Sequence, residues 1–448
     1  MVPEAALNFS LTTTRELKRL YKESLVTKRY LVRVCKEWSV WASPYLYECI
    51  YLGRGRCLRP IRDALMKSHQ QDVSSDEGYS LGWWTRRLDI AMRDISTSEA
   101  ERREEINSIC DIIHCLPNLS IVTFSVTAPP FHHNFQSEPF PSSILRVLGD
   151  PNGPSLQAII WQCGCFTPDP NDWLALLTKA TNIVTLRCPD FPEGAQLPEL
   201  RHLEVLYPRK EPLPTAVFPS LRHLIADVSP SNRWYPLLKI HGEKLQVIQL
   251  SFKYHSTIMP VLSMISTSCP SLARLDLSVT NWELVGCQVE GCELVLPPTV
   301  QILGLQNTAK QSSDQGYRSL FLGLALMTFT SSLDYVQLID SGNVKDLCQK
   351  HSKALMRGLL MLEAKGLHLR DHECLSLTIT EEVNDALTPA KLILECLLKT
   401  PDNVSPEDSP LVKWVRDAKK DLRKMLVPYA GGLTISERAQ IAHWFELN

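Results

Sequence analysis

The cysteines of WQCGCF, Cys163 and Cys165, are the nearest thing in the chain to a metal motif. A structural zinc site takes four ligands, usually a C-x-x-C-like pair and a second pair, and this C-x-C has no clear mate. Cys287 with Cys292, Cys110 with His114 and Cys115, and His132 with His133 are poorer alternatives. Satisfied or exposed side chains are the simpler reading of all of them. LGRGRC at 52–57 lies between a strand-like and a helix-like stretch, as a dinucleotide loop does, but Leu58 stands at its third glycine position and no later acidic residue is well placed. It reads as a turn. DHEC at 371–374 groups three catalytic residue types, yet at the end of a repeat such a group is ordinarily surface. With no G-x-S-x-G, P-loop, H-E-x-x-H or kinase set, the chain reads as a non-enzyme with no metal and no cofactor.

The elements that carry these residues belong to a folded protein. At 448 residues the chain exceeds the size at which a single core usually divides, so two or more units or one elongated array are expected. An apolar fraction of 44% and a charged fraction of 21% exclude global disorder. A net charge of −2 gives no general attraction to nucleic acid or to an anionic membrane. Locally, residues 13–36 hold many Lys and Arg against Glu16 and Glu23, a solvated helix face or else a nuclear signal or a site for an acidic partner. MVPEAALNFS lacks the basic and apolar regions of a signal peptide, and no apolar run is long enough to span a bilayer, so a cytoplasmic or nuclear location is expected. The fourteen Cys are scattered, many at apolar positions as in LVRVCKEW and LILECLL, which fits reduced, buried thiols.

From about residue 84 the chain repeats a short L-x-x-L-x-L-like stretch. Copies begin at Leu119, Leu156, Ile183, Leu200, Leu221, Leu245, Leu272, Val300 and Leu333, with RRLDIAM at 86–92 and GLHLRD at 366–371 as degenerate first and last copies. Alternate residues of such a strand point into a shared core, and one strand cannot bury its apolar side alone. Stacked in parallel with a crossover each time, the strands make a solenoid. The expected fold is therefore α/β, a leucine-rich-repeat-like solenoid of parallel strands over 84–380. Leu203, Leu224, Ile248, Leu275, Leu303 and Val336 are expected in register and buried. DWLALLTKA at 172–180 and MPVLSMIST at 259–267 suit crossover helices. The Asn that often closes such a strand is absent: Thr280, Thr308 and Lys253 stand in its place. A general α/β domain is the plain alternative.

Both ends read as helical. Thr13 with Glu16 is a capping box for a helix over 13–25, and Leu31, Val34, Cys35, Trp38 and Trp41 form one apolar stripe on a helix over 27–43 that Pro44 should end. CIYL then reads as a strand, and 68–79 as a loop. Beyond residue 380, Thr388 and Pro389 start one helix, Leu411, Trp414, Ala418, Leu422 and Met425 stripe another, and Thr434 with Glu437 precedes Ile441 and Trp444. Residues 381–448 would cap the open solenoid.

Val34, Cys35, Lys36 and Trp38, followed by Pro44, Leu46, Tyr47 and Glu48 in a Pro-Tyr-Leu-Tyr-Glu turn, resemble the C-terminal half of an F-box in fungal F-box and leucine-rich-repeat proteins. The segment 11–52 is then F-box-like, although the Leu-Pro opening of that motif is absent from LTTTRELKRLYKESL. The resemblance implies a substrate-recognition subunit of a Skp-Cullin-F-box ubiquitin ligase. Its Skp adaptor would cover Leu17, Leu20, Leu31, Val34, Trp38, Pro44 and Leu46. A leucine-rich interaction scaffold without ligase role is the other reading. In either case a protein partner would meet the strand positions opposite the core: Thr185, Arg187, His202, Glu204, His223, Ile225, Asp227, Gln249, Arg274, Asp276, Gln306, Tyr335 and Gln337. Their mixed charge and interspersed apolar residues suit protein binding rather than a phosphate-tracking stripe, so no nucleic acid and no membrane partner is expected.

Overall fold

The computed structural model describes residues 23–53, 55–72, 80–92, 98–126, 138–163, 166–188, 192, 194–205, 218–228, 234–252, 258–286, 296–309, 312–327 and 332–377. The fold is α/β, and its strands fall into two compact units, one of residues 1–278 and 297–300, the other of 279–296 and 301–448. Leu17, Leu20, Cys165, Cys287, Cys292, His132, His133 and the proposed cap at 381–448 lie outside the described residues.

The first unit opens with helix α1 over 23–31 and helix α2, Lys36–Tyr47. The single stripe expected over 27–43 is broken here. Cys35 is extended (φ −160°) and caps α2, its thiol accepting from Trp38 N at 3.5 Å, so the chain turns between the helices. Pro44 lies inside α2 rather than ending it. The carbonyl its ring deprives of a partner belongs to Val40, which is exposed and can turn to water.

Strand β1, Cys49–Leu52, follows, then helix α3, Gly55–Asp72, which takes in part of the stretch read as a loop. Next come β2 (Arg87–Met92), α4 (Glu99–His114), β3 (Ile121–Val126), β4 (Glu138–Pro139), α5 (Ser142–Asn152), β5 (Ala158–Trp161), β6 (Phe166–Thr167) and α6 (Pro170–Lys179). The unit continues with β7 (Thr185–Cys188), β8 (His202–Val205), β9 (His223–Val228), α7 (Tyr235–His241), β10 (Val247–Phe252), α8 (Ile258–Ser268) and β11 (Arg274–Val279). The sheet order is β1-β2-β3-β5-β7-β8-β9-β10-β11, with β4 and β6 pairing apart. Each repeat stretch supplies one strand, and CIYL, not RRLDIAM, begins the sheet: Cys49 faces Arg87 in a parallel pair.

Register aligns the inward positions in an unbroken row: Ile50, Leu88, Val122, Ile159, Leu186, Leu203, Leu224 and Ile248. All are buried, as is Leu275 on β11. A slip of one residue would turn each of these faces to the other side, so burial of the row fixes the pairing. Between β3 and α6 the row is thickened by aromatics, Phe124 on Phe140 at 4.9 Å and Trp161 on Trp173 at 5.6 Å. The crossover helix α6 starts two residues before the stretch read for it, on a local cap: Asp169 accepts from Asn171 N and Asp172 N, with Pro170 as the first helical residue. Successive crossovers nest through glycine. A Cβ on Gly82 would lie 1.8 Å from the Cys115 carbonyl oxygen at the end of α4, and one on Gly242 2.3 Å from that of Ser268 at the end of α8.

The second unit holds α9 (Glu283–Gly286), β12 (Ile302–Asn307), α10 (Asp314–Leu326), β13 (Tyr335–Leu338), α11 (Ser341–Lys350), α12 (Ser352–Glu363) and β14 (His368–Arg370). β12, β13 and β14 run parallel with Leu303, Val336 and Leu369 aligned and buried. The end of β12 is held by a side chain from a later helix. Asn343, in α11, accepts from Asn307 N at 2.7 Å and donates to Asn307 O at 3.1 Å. Thr308 N donates to the Val279 carbonyl at 2.8 Å.

Candidate functional site

The outward side of the first unit's sheet is open over only part of its width. On β9 and β10 burial alternates strictly: Leu224, Ala226, Val228, Ile248, Leu250 and Phe252 are buried, while His223, Ile225, Asp227, Val247, Gln249 and Ser251 are half-buried. β8 adds His202 and Glu204, both half-buried. On β5 and β7 both sides are closed, because outward Ile160 and Ala158 form an apolar cluster with Ile121, and Thr185 and Arg187 follow them into cover. On β11 Asp276 and Ser278 are buried. Between the closed strands β7 and β11 the accessible window is thus three strands wide, and at the other edge of the sheet Tyr51 of β1 is also exposed.

Of the residues expected to meet a partner, His202, Glu204, His223, Asp227 and Gln249 stand in this window and Arg274 is half-buried at its margin. Arg187 and Asp276 are 8% and 7% exposed, so they line its sides rather than its floor. Gln306 is buried and Tyr335 half-buried in the second unit, where Arg370 stacks over the Tyr335 ring at 4.1 Å. Val247 and Ser251 were not foreseen. Their signal, an outward position on a strand, is shared by buried Thr185 and Ser278, and only packing tells them apart.

Four of the charged side chains at the window and its margins are matched in two pairs. Arg187 Nη2 lies 3.3 Å from Glu204 Oε1 across two strands, and Arg274 Nε donates to both Asp276 oxygens at 2.9 and 3.1 Å. Burial nevertheless raises the Asp276 carboxyl above its ordinary range against the pull of Arg274. His202 and His223 occupy facing register positions with their Nδ1 atoms 3.2 Å apart, one donating and the other accepting. Desolvation, then the neighbouring His202 and Arg274, hold His223 down to about 3, so it is neutral at physiological pH. Besides the two ion pairs and the Asp227 carboxylate, what faces outward is uncharged: two imidazoles, Ile225, Val247, the Gln249 amide and the Ser251 hydroxyl.

A second exposed surface lies at the start of the same unit. Of the twelve exposed large apolar side chains among the described residues, seven fall between 26 and 45: Val26, Tyr30, Val34, Trp38, Val40, Trp41 and Tyr45. Val34 is 62% exposed, Trp38 49% and Trp41 78%. In α2 only Ala42 is buried. Of the expected adaptor-facing set, Val34 and Trp38 are exposed and Leu31, Pro44 and Leu46 half-buried. Such a cluster is unusual on a monomer's surface.

No group of three or more His, Cys, Asp or Glu could hold a metal among the described residues. Cys110 and Cys115 sit where burial raises their thiols, which disfavours the thiolate. In DHEC, Asp371 Oδ1 accepts from Glu373 N and Leu375 N at 2.9 and 2.8 Å, closing a turn in which Cys374 takes φ 64°. No described helix is long and apolar enough to cross a membrane. Comparison with protein-family models gives no match, and neither does comparison with curated proteins.

Proposed function

We propose that this protein is the substrate-recognition subunit of a Skp-Cullin-F-box-type ubiquitin ligase, with α1 and α2 as the adaptor-docking segment and a leucine-rich-repeat-like solenoid as the receptor for a protein substrate. The observation that carries the reading is the exposed apolar face of residues 26–45. A capping helix would turn Val34, Trp38 and Trp41 toward the strands it caps, whereas a docking helix holds them out for a partner to cover. The solenoid part draws support from strands in chain order, each supplied by one repeat stretch, with aligned buried leucines and isoleucines. Such a subunit performs no bond chemistry. It acts by proximity, holding a substrate lysine near the ubiquitin-charged enzyme. A cytoplasmic or nuclear location follows from this role.

The test is a pull-down of purified Skp adaptor by the full-length protein and by a Val34→Glu/Trp38→Glu variant. Wild-type binding is expected, with loss in the variant of at least about tenfold in affinity, as for central apolar hot spots, and an unchanged melting temperature because both positions are exposed. A wild-type protein that does not bind would leave the scaffold reading, which keeps the window on β8–β10 and dispenses with the adaptor.

A further inference from the structure

From the shape and charge of the β8–β10 window, and resting on the reading that this face receives a protein partner, we infer that it takes a single short peptide segment of low net charge and not the surface of a folded domain. Its size decides the first half. Three strands spaced about 4.8 Å apart, with runs of about 3.3 Å per residue, give a patch on the order of 200–300 Å². A stable domain-to-domain contact needs about 800 Å² on each side. β7 on one flank and β11 on the other are closed on their outward side, so the patch does not extend across them. One extended strand or one turn of helix fills it.

Charge decides the second half. Arg187 is matched by Glu204, and Arg274 by Asp276, so neither of these cations calls for an anion nor these carboxylates for a cation, and Asp227, opposite Ser251 at the end of β9, stands outside these two pairs. An arriving charge would be desolvated beside groups that already have partners, a cost with no matching gain. Ile225 and Val247 are diagonal neighbours, since Val247 faces His223 and Ile225 faces Gln249, and together they give an apolar seat for one side chain. Gln249 and Ser251, two residues apart on β10, offer donor and acceptor groups to the segment's backbone.

The experiment pans a random peptide library of about twelve residues, displayed on phage, against the full-length protein, then measures the enriched peptides on wild type, Ile225→Arg and Gln249→Ala. Ile225 is half-buried and points outward, so its variant is expected to fold, which circular dichroism checks. Peptides of low net charge should enrich, weaken by about tenfold or more on Ile225→Arg, and change by less than about twofold between roughly 0.05 and 0.5 M salt. Enriched peptides that carry one charge sign and lose affinity steeply with salt, yet still depend on Ile225, would leave the face a partner site and overturn the chemistry inferred for it. No enrichment, or peptides indifferent to Ile225→Arg, would overturn the window itself. Adaptor binding, read at Val34 and Trp38, is independent of all three outcomes.

Discussion

His223 shows how one residue's surroundings become a property of the fold. In the unfolded chain its imidazole takes a proton near its ordinary value of 6.5, whereas in the folded protein it does so only at about 3. Between those limits the unfolded state alone holds the proton, so stability is complete above pH 6.5 and is lost as the pH falls, by about tenfold in the folding constant per pH unit. The expected contribution between pH 6.5 and 5 is about 2 kcal/mol. His223→Gln, which keeps a group able to bond His202, should flatten this limb of the stability profile in urea melts at the two pH values. An unchanged slope in the variant would mean that another group carries the acid sensitivity. Cys35 is a second residue-scale lesson: as a helix cap it splits what its neighbours' spacing describes as one helix.

At the scale of elements, strands and crossovers stabilise each other through contacts that only neighbouring repeats provide. Leu275 is fully buried on β11, and its truncation to Ala should cost about 2–5 kcal/mol, the range of large-to-small core changes, read as a shift in the urea midpoint at constant slope. Gly242 makes the opposite kind of demand. Its missing side chain lets the turn after α7 reach the last carbonyl of α8, so Gly242→Ala must push backbone apart. A loss of about 1–3 kcal/mol is expected, as in overpacked cores, where alanine for glycine at an unstrained open site would stabilise slightly. Hydrogen exchange localised to α7, α8 and β10 would trace the damage; exchange unchanged there would show that the contact yields cheaply. In the second unit Asn343 holds the end of β12 through both Asn307 N and Asn307 O, and it does so from α11, the helix after β13.

For the whole molecule, the first unit carries two surfaces with different chemistry, an apolar one on α1 and α2 and one of mixed, largely paired charge on β8–β10. Substitutions at one should leave the other's binding intact, because effects at distant sites without shared partners add independently. A ligase subunit in this form would therefore lose adaptor binding through Trp38→Glu and substrate binding through Ile225→Arg, each without the other, measurable by separate titrations of one variant at a time. Much of this organisation follows from the sequence alone. A period of two in stretches such as LRHLIA and LQVIQL admits few structures other than strands with one buried side, and the stretches DWLALLTKA and MPVLSMIST fall in the crossover helices α6 and α8. These are short-range effects, decided within a few residues. Tertiary structure alone decided that β1 joins the sheet, that Arg187 and Asp276 are covered while the outward residues of β9 and β10 are not, and that Val34, Trp38 and Trp41 face outward. Each of those depends on which neighbours close over a side chain, and residues far apart in the chain supply them.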